Sequence, residues 1–266
     1  MEASLKKMIL RTALGALGVT AFCACVYLTQ PAMIGCRNED LLLHSLLPVE
    51  VSADSAISTE KVVYLTFDDG PSKTTALVLD ALAKAEVPAT FFVIGGEQLT
   101  RNSAELVRAV NEGHLIALHS DSHEYKNIYK SSAAYWADIE ALKEHLLPFG
   151  YVDKKILRFP GGSTNTVSHK YGGADIMDVL KAQAVERGYT YVDWNVCADD
   201  AIGGHPSADK IYNNVIHDVG EQRTVVVLMH DAAYTKNTAA ALPDIILWFK
   251  NAGFRFDTVD HLTKQI

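Results

Sequence analysis

Short runs rich in β-branched and aromatic residues alternate, from residue 61 onward, with longer stretches whose apolar residues recur every three or four positions. The first pattern is that of buried strands and the second that of amphipathic helices. Strands are predicted at 62–67, 90–94, 115–118, 156–159, 190–196, 224–229 and 254–258. Helices are predicted near 73–86, 97–112, 132–147, 174–187, 207–219 and 239–252. Gly113, Gly188 and Gly253 each stand between a helical stretch and the next strand, as helix C-caps do. Seven strands with interposed helices predict an α/β fold of parallel strands, closed or nearly closed into a barrel. An open doubly wound sheet is the alternative.

The first sixty residues depart from this pattern. Lys6, Lys7 and Arg11 precede an uncharged apolar run at 12–28. As a helix that run spans about 26 Å, near the lower limit for crossing a bilayer. It reads as a hydrophobic signal-anchor helix, with the basic flank in the cytoplasm and the rest of the chain outside. A cleaved signal peptide, leaving a secreted protein, shares this plan, but Tyr27-Leu28-Thr29-Gln30-Pro31 is a poor cleavage site. A buried core helix and lipid attachment at Cys36 are further alternatives. Residues 31–60 carry a leucine-rich piece at 41–47 and a polar stretch at 52–60, and read as an extracytoplasmic stalk. The expected organisation is therefore 1–30 flank and anchor, 31–60 stalk, and 61–266 a single folded domain.

Composition narrows the class. With 48% hydrophobic and 21% charged residues the chain is not predominantly disordered. A net charge of −8 argues against nucleic-acid binding and suits a neutral polymeric substrate better than an anionic one. Of four cysteines, Cys23 and Cys25 lie in the apolar run and act as small hydrophobes. A bond between the other two, Cys36 and Cys197, is possible, but nothing in the sequence supports it.

The candidate chemistry gathers at the C-terminal ends of the predicted strands. Thr66-Phe67-Asp68-Asp69-Gly70-Pro71-Ser72 follows the first. Adjacent carboxylates repel, and neither can be buried unpaired; the Gly-Pro turn is expected to expose both, as a solvated turn or a metal site. His119-Ser120-Asp121-Ser122-His123 follows the third strand. Histidines four apart meet on one face of a helical turn and can grip one cation, leaving positions open for water and substrate. His114, upstream, reads as structural. Arg158-Phe159-Pro160-Gly161-Gly162 closes the fourth strand, Asp193-Trp194-Asn195 lies within the fifth with Asp199-Asp200 beyond its end, and Met229-His230-Asp231 ends the sixth. Each alone has a bland reading, such as an ion pair, a core aromatic or a strand cap. Active sites of βα barrels are built on that face, and the coincidence favours a hydrolytic metal site.

Segments 66–70, 119–123, 158–162, 194–200 and 228–231, in this order and spacing, resemble the five motifs of the NodB-type polysaccharide deacetylases, carbohydrate esterase family 4. The resemblance spans 61–266. It implies a distorted (β/α) barrel of the NodB-homology type and a hydrolase removing acetyl groups from sugars. It also implies one divalent metal ion, zinc first, with cobalt or manganese as alternatives. The run from Arg158 to Ser163 and the apolar N-terminus look most like bacterial cell-wall enzymes, acting on peptidoglycan. By the same resemblance Asp69, His119 and His123 match the metal ligands, Asp68 the general base and Arg158 the residue orienting it. His230 matches the general acid and Asp200 the carboxylate tuning it. Gly161 matches the oxyanion-holding N–H, while Leu228 matches the apolar wall around the acetyl methyl; Gly162 and Trp194 are expected beside the substrate.

The fourth motif departs from the family. Cys197 stands where an Asp is common and Ala201 where a Trp is common, which puts the sugar-binding wall in doubt. Cys197 could then act as an adventitious ligand or be open to oxidation. The expected partners are a cell-wall glycan and the membrane, with no nucleic acid and no obligate protein partner. A chitooligosaccharide deacetylase, an O-acetyl-xylan esterase and a catalytically silent glycan-binding barrel are the alternatives.

Overall fold

The computed structural model describes residues 60–263. The expected anchor, nearly all of the stalk and Cys36 fall outside the described residues. Among those described, no helix is long and apolar enough to cross a membrane.

The strands are β1 (Lys61–Asp68), β2 (Thr90–Ile94), β3 (Leu115–Ser120), β4 (Ile156–Leu157), β5 (Thr190–Tyr191), β6 (Val196–Cys197), β7 (Thr224–His230) and β8 (Phe254–Asp257). They pair in the order β5-β4-β3-β2-β1-β7-β6, every pair parallel. β1 is central. β7 follows its whole length, while β8 takes its first half (Lys61 to Tyr64) and β2 its end (Thr66 to Asp68) on the other edge. The two ends of the sheet, β5 and β6, do not pair with each other, so the fold is a parallel-strand half-barrel rather than a closed one.

The opening lies where a single strand, 190–196, is predicted. Two dipeptide strands form instead, at opposite ends of the sheet, with Val192 to Asn195 crossing between them. The cause is a competing partner. Buried Arg158 takes the carbonyls of Val192 and Asp193, at 2.9 Å each, and Asn195 pairs its N–H and its side-chain oxygen with Val226 of β7. Backbone groups satisfied this way are lost to a strand ladder.

Helices cover the outer face as predicted, with one exception. The stretch 97–112 forms two helices, Gly96–Arg101 and Ser103–Asn111. Between them the Asn102 side chain donates to Gln98 O and Pro71 O, a local bond that competes with helix continuation. Gly113, Gly188 and Gly253 do end helices, all at positive φ.

Strand alternation divides the core into two layers and raises the site. Val63, Leu65 and Phe67 of β1 pack outward with Val78, Leu82, Ile245 and Phe249 of the helices. Val62 and Tyr64 point inward with Phe92, Leu115, Ala117, Ile156, Val192 and Val226. Because successive side chains alternate, each inward series continues upward into polar residues. Val62-Tyr64 leads to Thr66 and Asp68, Leu115-Ala117 to His119, Ile156 to Arg158, and Val226-Leu228 to His230. Each fully buried aliphatic or aromatic side chain is worth about 1.5–3 kcal/mol. That reserve offsets the cost of a charged layer at the top of the same strands.

Candidate metal and acid–base site

Asp68 ends β1 and is buried, its side chain 5% exposed, and Asp69 beside it is partly buried, so neither is the exposed carboxylate expected. The compensation comes from Arg158, itself fully buried, whose Nη1 donates to Asp68 Oδ1 at 2.8 Å and to Thr66 Oγ1 at 2.8 Å. The guanidinium lies 4.2 Å from the centre of the Phe92 ring. Its Nε and Nη2 donate to the carbonyls of Val192 and Asp193, so four of its five N–H groups are engaged and the arginine holds Asp68 in a fixed orientation.

Asp69 turns the chain at φ 72°. Its carbonyl accepts from Gln98 Nε2 at 2.8 Å, and its Oδ1 is buried without a hydrogen-bond partner. That orphan oxygen lies 3.6 Å from His119 Nε2 and 3.4 Å from His123 Nε2. His119 Nδ1 sits 2.8 Å from the Arg158 carbonyl, which can only accept, so Nδ1 carries the proton and Nε2 presents a lone pair. Burial pushes the His119 imidazole below its ordinary range, with Asp68 opposing and His123 adding to the shift. A neutral histidine fixed by its second nitrogen and an unpaired carboxylate oxygen are the donors a divalent cation requires. The residues fit a metal ion: Asp69, His119 and His123 are the group, among the described residues, whose ligand atoms lie close enough together to hold one.

The two histidines do not meet across a helical turn. His119 belongs to β3, and His123 returns to it through a bend with φ 52°. Asp138, in the helix Ser132–Leu146, holds that bend: its carboxylate accepts from Ser120 Oγ (2.6 Å), Asp121 N (2.7 Å) and Ser122 N (2.9 Å). Ser120 Oγ in turn accepts from His123 N at 2.9 Å.

His230 ends β7, in register with Asp68. Its Nδ1 is 2.8 Å from Asp200 Oδ1 and its N–H donates to Asp200 Oδ2 at 2.7 Å, an oxygen also bound by Thr238 Oγ1. Burial works against protonation of His230, but the Asp200 bond and charge outweigh it, and Asp68 and Asp69 add to them; its pKa rises to about 9. Asp231, the next residue, is fully buried beneath Gly70, with Oδ2 on Thr75 Oγ1 at 2.5 Å and Oδ1 unpartnered. Burial and then the two nearby carboxylates raise its pKa to about 7.

The remaining predicted positions surround this group. Leu228 is buried in β7 beside Cys197. Trp194 is half-buried with its ring edge 3.0 Å from where a Cβ on Gly162 would stand. Cys197 is no ligand here: it lies outside the cluster, and burial pushes its thiol up to about 12. His114 is structural, its Nδ1 accepting from Ala89 N. Sequence reading missed Asp138 and Gln98, neither of which carries a local signal, and gave Thr66, though inside the first motif, no role of its own. A groove of about 520 Å³ lined by Tyr212, Asp244 and Trp248 holds none of these groups.

Parallel strands deliver a cation-ready cluster, an arginine-held carboxylate and a carboxylate-held histidine to one rim, an arrangement suited to metal-assisted hydrolysis. Residues 56–175 match the family model for polysaccharide deacetylases. The chain is 30% identical over 226 residues to a peptidoglycan-N-acetylglucosamine deacetylase of Bacillus cereus, covering 84% of this chain and 98% of that protein. It is 34% identical to a bifunctional xylanase/deacetylase of Pseudobutyrivibrio xylanivorans, across 76% of this chain but only 30% of the relative's length. Among solved structures, the catalytic domain of a peptidoglycan N-acetylglucosamine deacetylase from Eubacterium rectale superposes with a TM-score of 0.73 at 36% identity, covering 81% and 97% of the two chains. The chain belongs to the polysaccharide deacetylases of carbohydrate esterase family 4.

Proposed function

We propose that the protein removes N-acetyl groups from the aminosugars of peptidoglycan, releasing acetate, with zinc as its metal. The observation that carries this reading is the Arg158–Asp68 pair beside Asp69, His119 and His123, with the Asp200–His230 pair on the neighbouring strand. Amide carbonyls are poor electrophiles and neutral water is a poor nucleophile. A divalent cation held by Asp69, His119 and His123 supplies Lewis-acid polarisation and a more acidic water. Two imidazoles and one carboxylate suit zinc, with cobalt or manganese as alternatives.

The chain's own residues do the rest. Asp68, aimed by Arg158, takes a proton from the attacking water. The Gly161 N–H meets the negative charge that develops on the acetyl oxygen. His230, kept protonated by Asp200, gives its proton to the departing sugar amine. Leu228 backs the acetyl methyl, and Trp194 with Gly162 lines the sugar side. We further propose that 61–266 is the catalytic domain, carried outside the cytoplasmic membrane on the stalk and the N-terminal anchor.

The test is acetate release from purified peptidoglycan. Release is expected to stop with EDTA and return with Zn²⁺. Asp68→Asn should keep its metal and lose about 100-fold or more of kcat. The similarity to the xylanase/deacetylase favours a second reading, an O-acetyl esterase. Metal-dependent release from acetylated xylan but not from peptidoglycan would replace the first reading with the second.

A further inference from the structure

Tyr125 has no role in the chemistry above, yet it stands inside it. It opens the short helix Tyr125–Ile128, two residues after His123, and its ring meets the His123 ring edge-on at 5.8 Å. On its other side it packs edge-on against Tyr129, at 5.4 Å. Tyr129 Oη donates to Pro160 O at 2.7 Å, which clamps the tyrosine pair to the turn carrying Gly161.

Gly161 stands at φ 80°, and a Cβ there would lie 2.6 Å from Tyr125 Oη and 3.5 Å from Tyr125 Cε1. The tyrosine hydroxyl fills the space that a side chain at 161 would take. Close approach, and not only backbone conformation, therefore requires glycine at this position.

Neighbouring donors of the turn are satisfied within the protein. Gly162 N–H donates to Phe159 O at 2.7 Å, and Asn165 Nδ2 donates to Gly162 O at 2.8 Å. The Gly161 N–H and the Tyr125 O–H make no hydrogen bond to any described residue. Two adjacent donors without protein partners, next to the ligand histidine His123, are donors available to a bound molecule.

We propose that the Tyr125 hydroxyl is a second donor to the acetyl oxygen of the substrate, acting beside the Gly161 N–H. This rests on the deacetylase reading given above. A phenol ordinarily titrates near pH 10 and so donates at neutral pH. Its bond strengthens as charge moves onto the oxygen, so its loss should fall on kcat rather than on KM.

The test is Tyr125→Phe in the full chain, assayed for acetate release from peptidoglycan and from an activated acetyl ester that carries no sugar. The expected result is a loss of kcat of about 100-fold on both substrates, with KM, bound metal per chain and melting temperature unchanged. A second variant checks the geometry. Gly161→Ala should lower the melting temperature more in the parent chain than in the Tyr125→Phe background, where the colliding oxygen is gone. Unchanged kcat overturns the proposal. So does a loss confined to peptidoglycan, which would put the hydroxyl on the sugar, and so does a loss that follows lost metal, which would make the ring a support for His123. If the parent chain releases no acetate from either substrate, the deacetylase reading fails and takes this proposal with it. Release by the parent chain with an equally active Tyr125→Phe variant removes this proposal alone.

Discussion

His230 can serve as an acid only while it carries its proton, and Asp200 decides over what range that holds. With its pKa at about 9, the imidazole stays protonated at neutral pH, and turnover by the proposed route should be lost as pH rises through that value. Stability follows the same sign. A folded pKa above the ordinary histidine value of about 6.5 contributes stability that is complete below 6.5 and fades between there and about 9. A cation beside Asp69 would offset the share contributed by Asp68 and Asp69 but not the direct bond from Asp200. Asp200→Asn should therefore move the alkaline limb of the kcat/KM profile down from near 9, because burial then acts on the imidazole without the opposing bond and charge of Asp200. The measurement is the pH–rate profile of the two chains. An unmoved limb would mean that a group other than His230 gives up the proton.

The bend between β3 and the following helix shows how far a distant residue decides a local shape. Asp138 accepts three donors from Ser120, Asp121 and Ser122, and so presents His123 to Asp69. Asp138→Ala should leave two backbone N–H groups unpaired and weaken metal binding by about 10–100-fold, the usual cost of removing an outer support. Asp138→Asn, which keeps one acceptor, should fall between; metal titration of the three chains gives the order. Nothing at position 138 announces this role, since an acidic residue within an amphipathic helix reads as part of the solvated face. The strand ends were legible for the opposite reason. Their inward positions follow a period of two from Val62 to Asp68 and from Val226 to His230, and the carboxylate and imidazole interrupt apolar series that are local in sequence. The gap between β5 and β6 was not legible. It is decided by Arg158, more than thirty residues away, whose hold on the Val192 and Asp193 carbonyls no local pattern records.

Everything the proposed reaction uses lies on one sheet or in the loops at the C-terminal ends of its strands, and the central strand of that sheet is also its first. β1 pairs with β2, β7 and β8, and the beginning and end of the barrel are tied together there: Lys61 Nζ donates to Ala252 O at 3.2 Å, and Arg255 pairs with Glu60 at 2.6 Å. The chain divides after Asp54, and the unit Ser55–Ile266 holds all eight strands and all the site residues. Residues 55–266 alone should then unfold in a single transition, coincident by circular dichroism and tryptophan fluorescence. They should also release acetate with a kcat within about 2-fold of the full chain, since no group in the proposed mechanism precedes Asp68. A chain beginning at Thr66 should not fold, because it lacks the half of β1 that pairs with β8 and the lower part of β7. If the 55–266 fragment folds in one transition, binds metal and yet turns over at a small fraction of the full rate, residues 1–54 supply part of the substrate site. Rate loss on polymeric peptidoglycan alone, with soluble fragments still processed at the full rate, would instead give those residues the task of holding the enzyme at its wall.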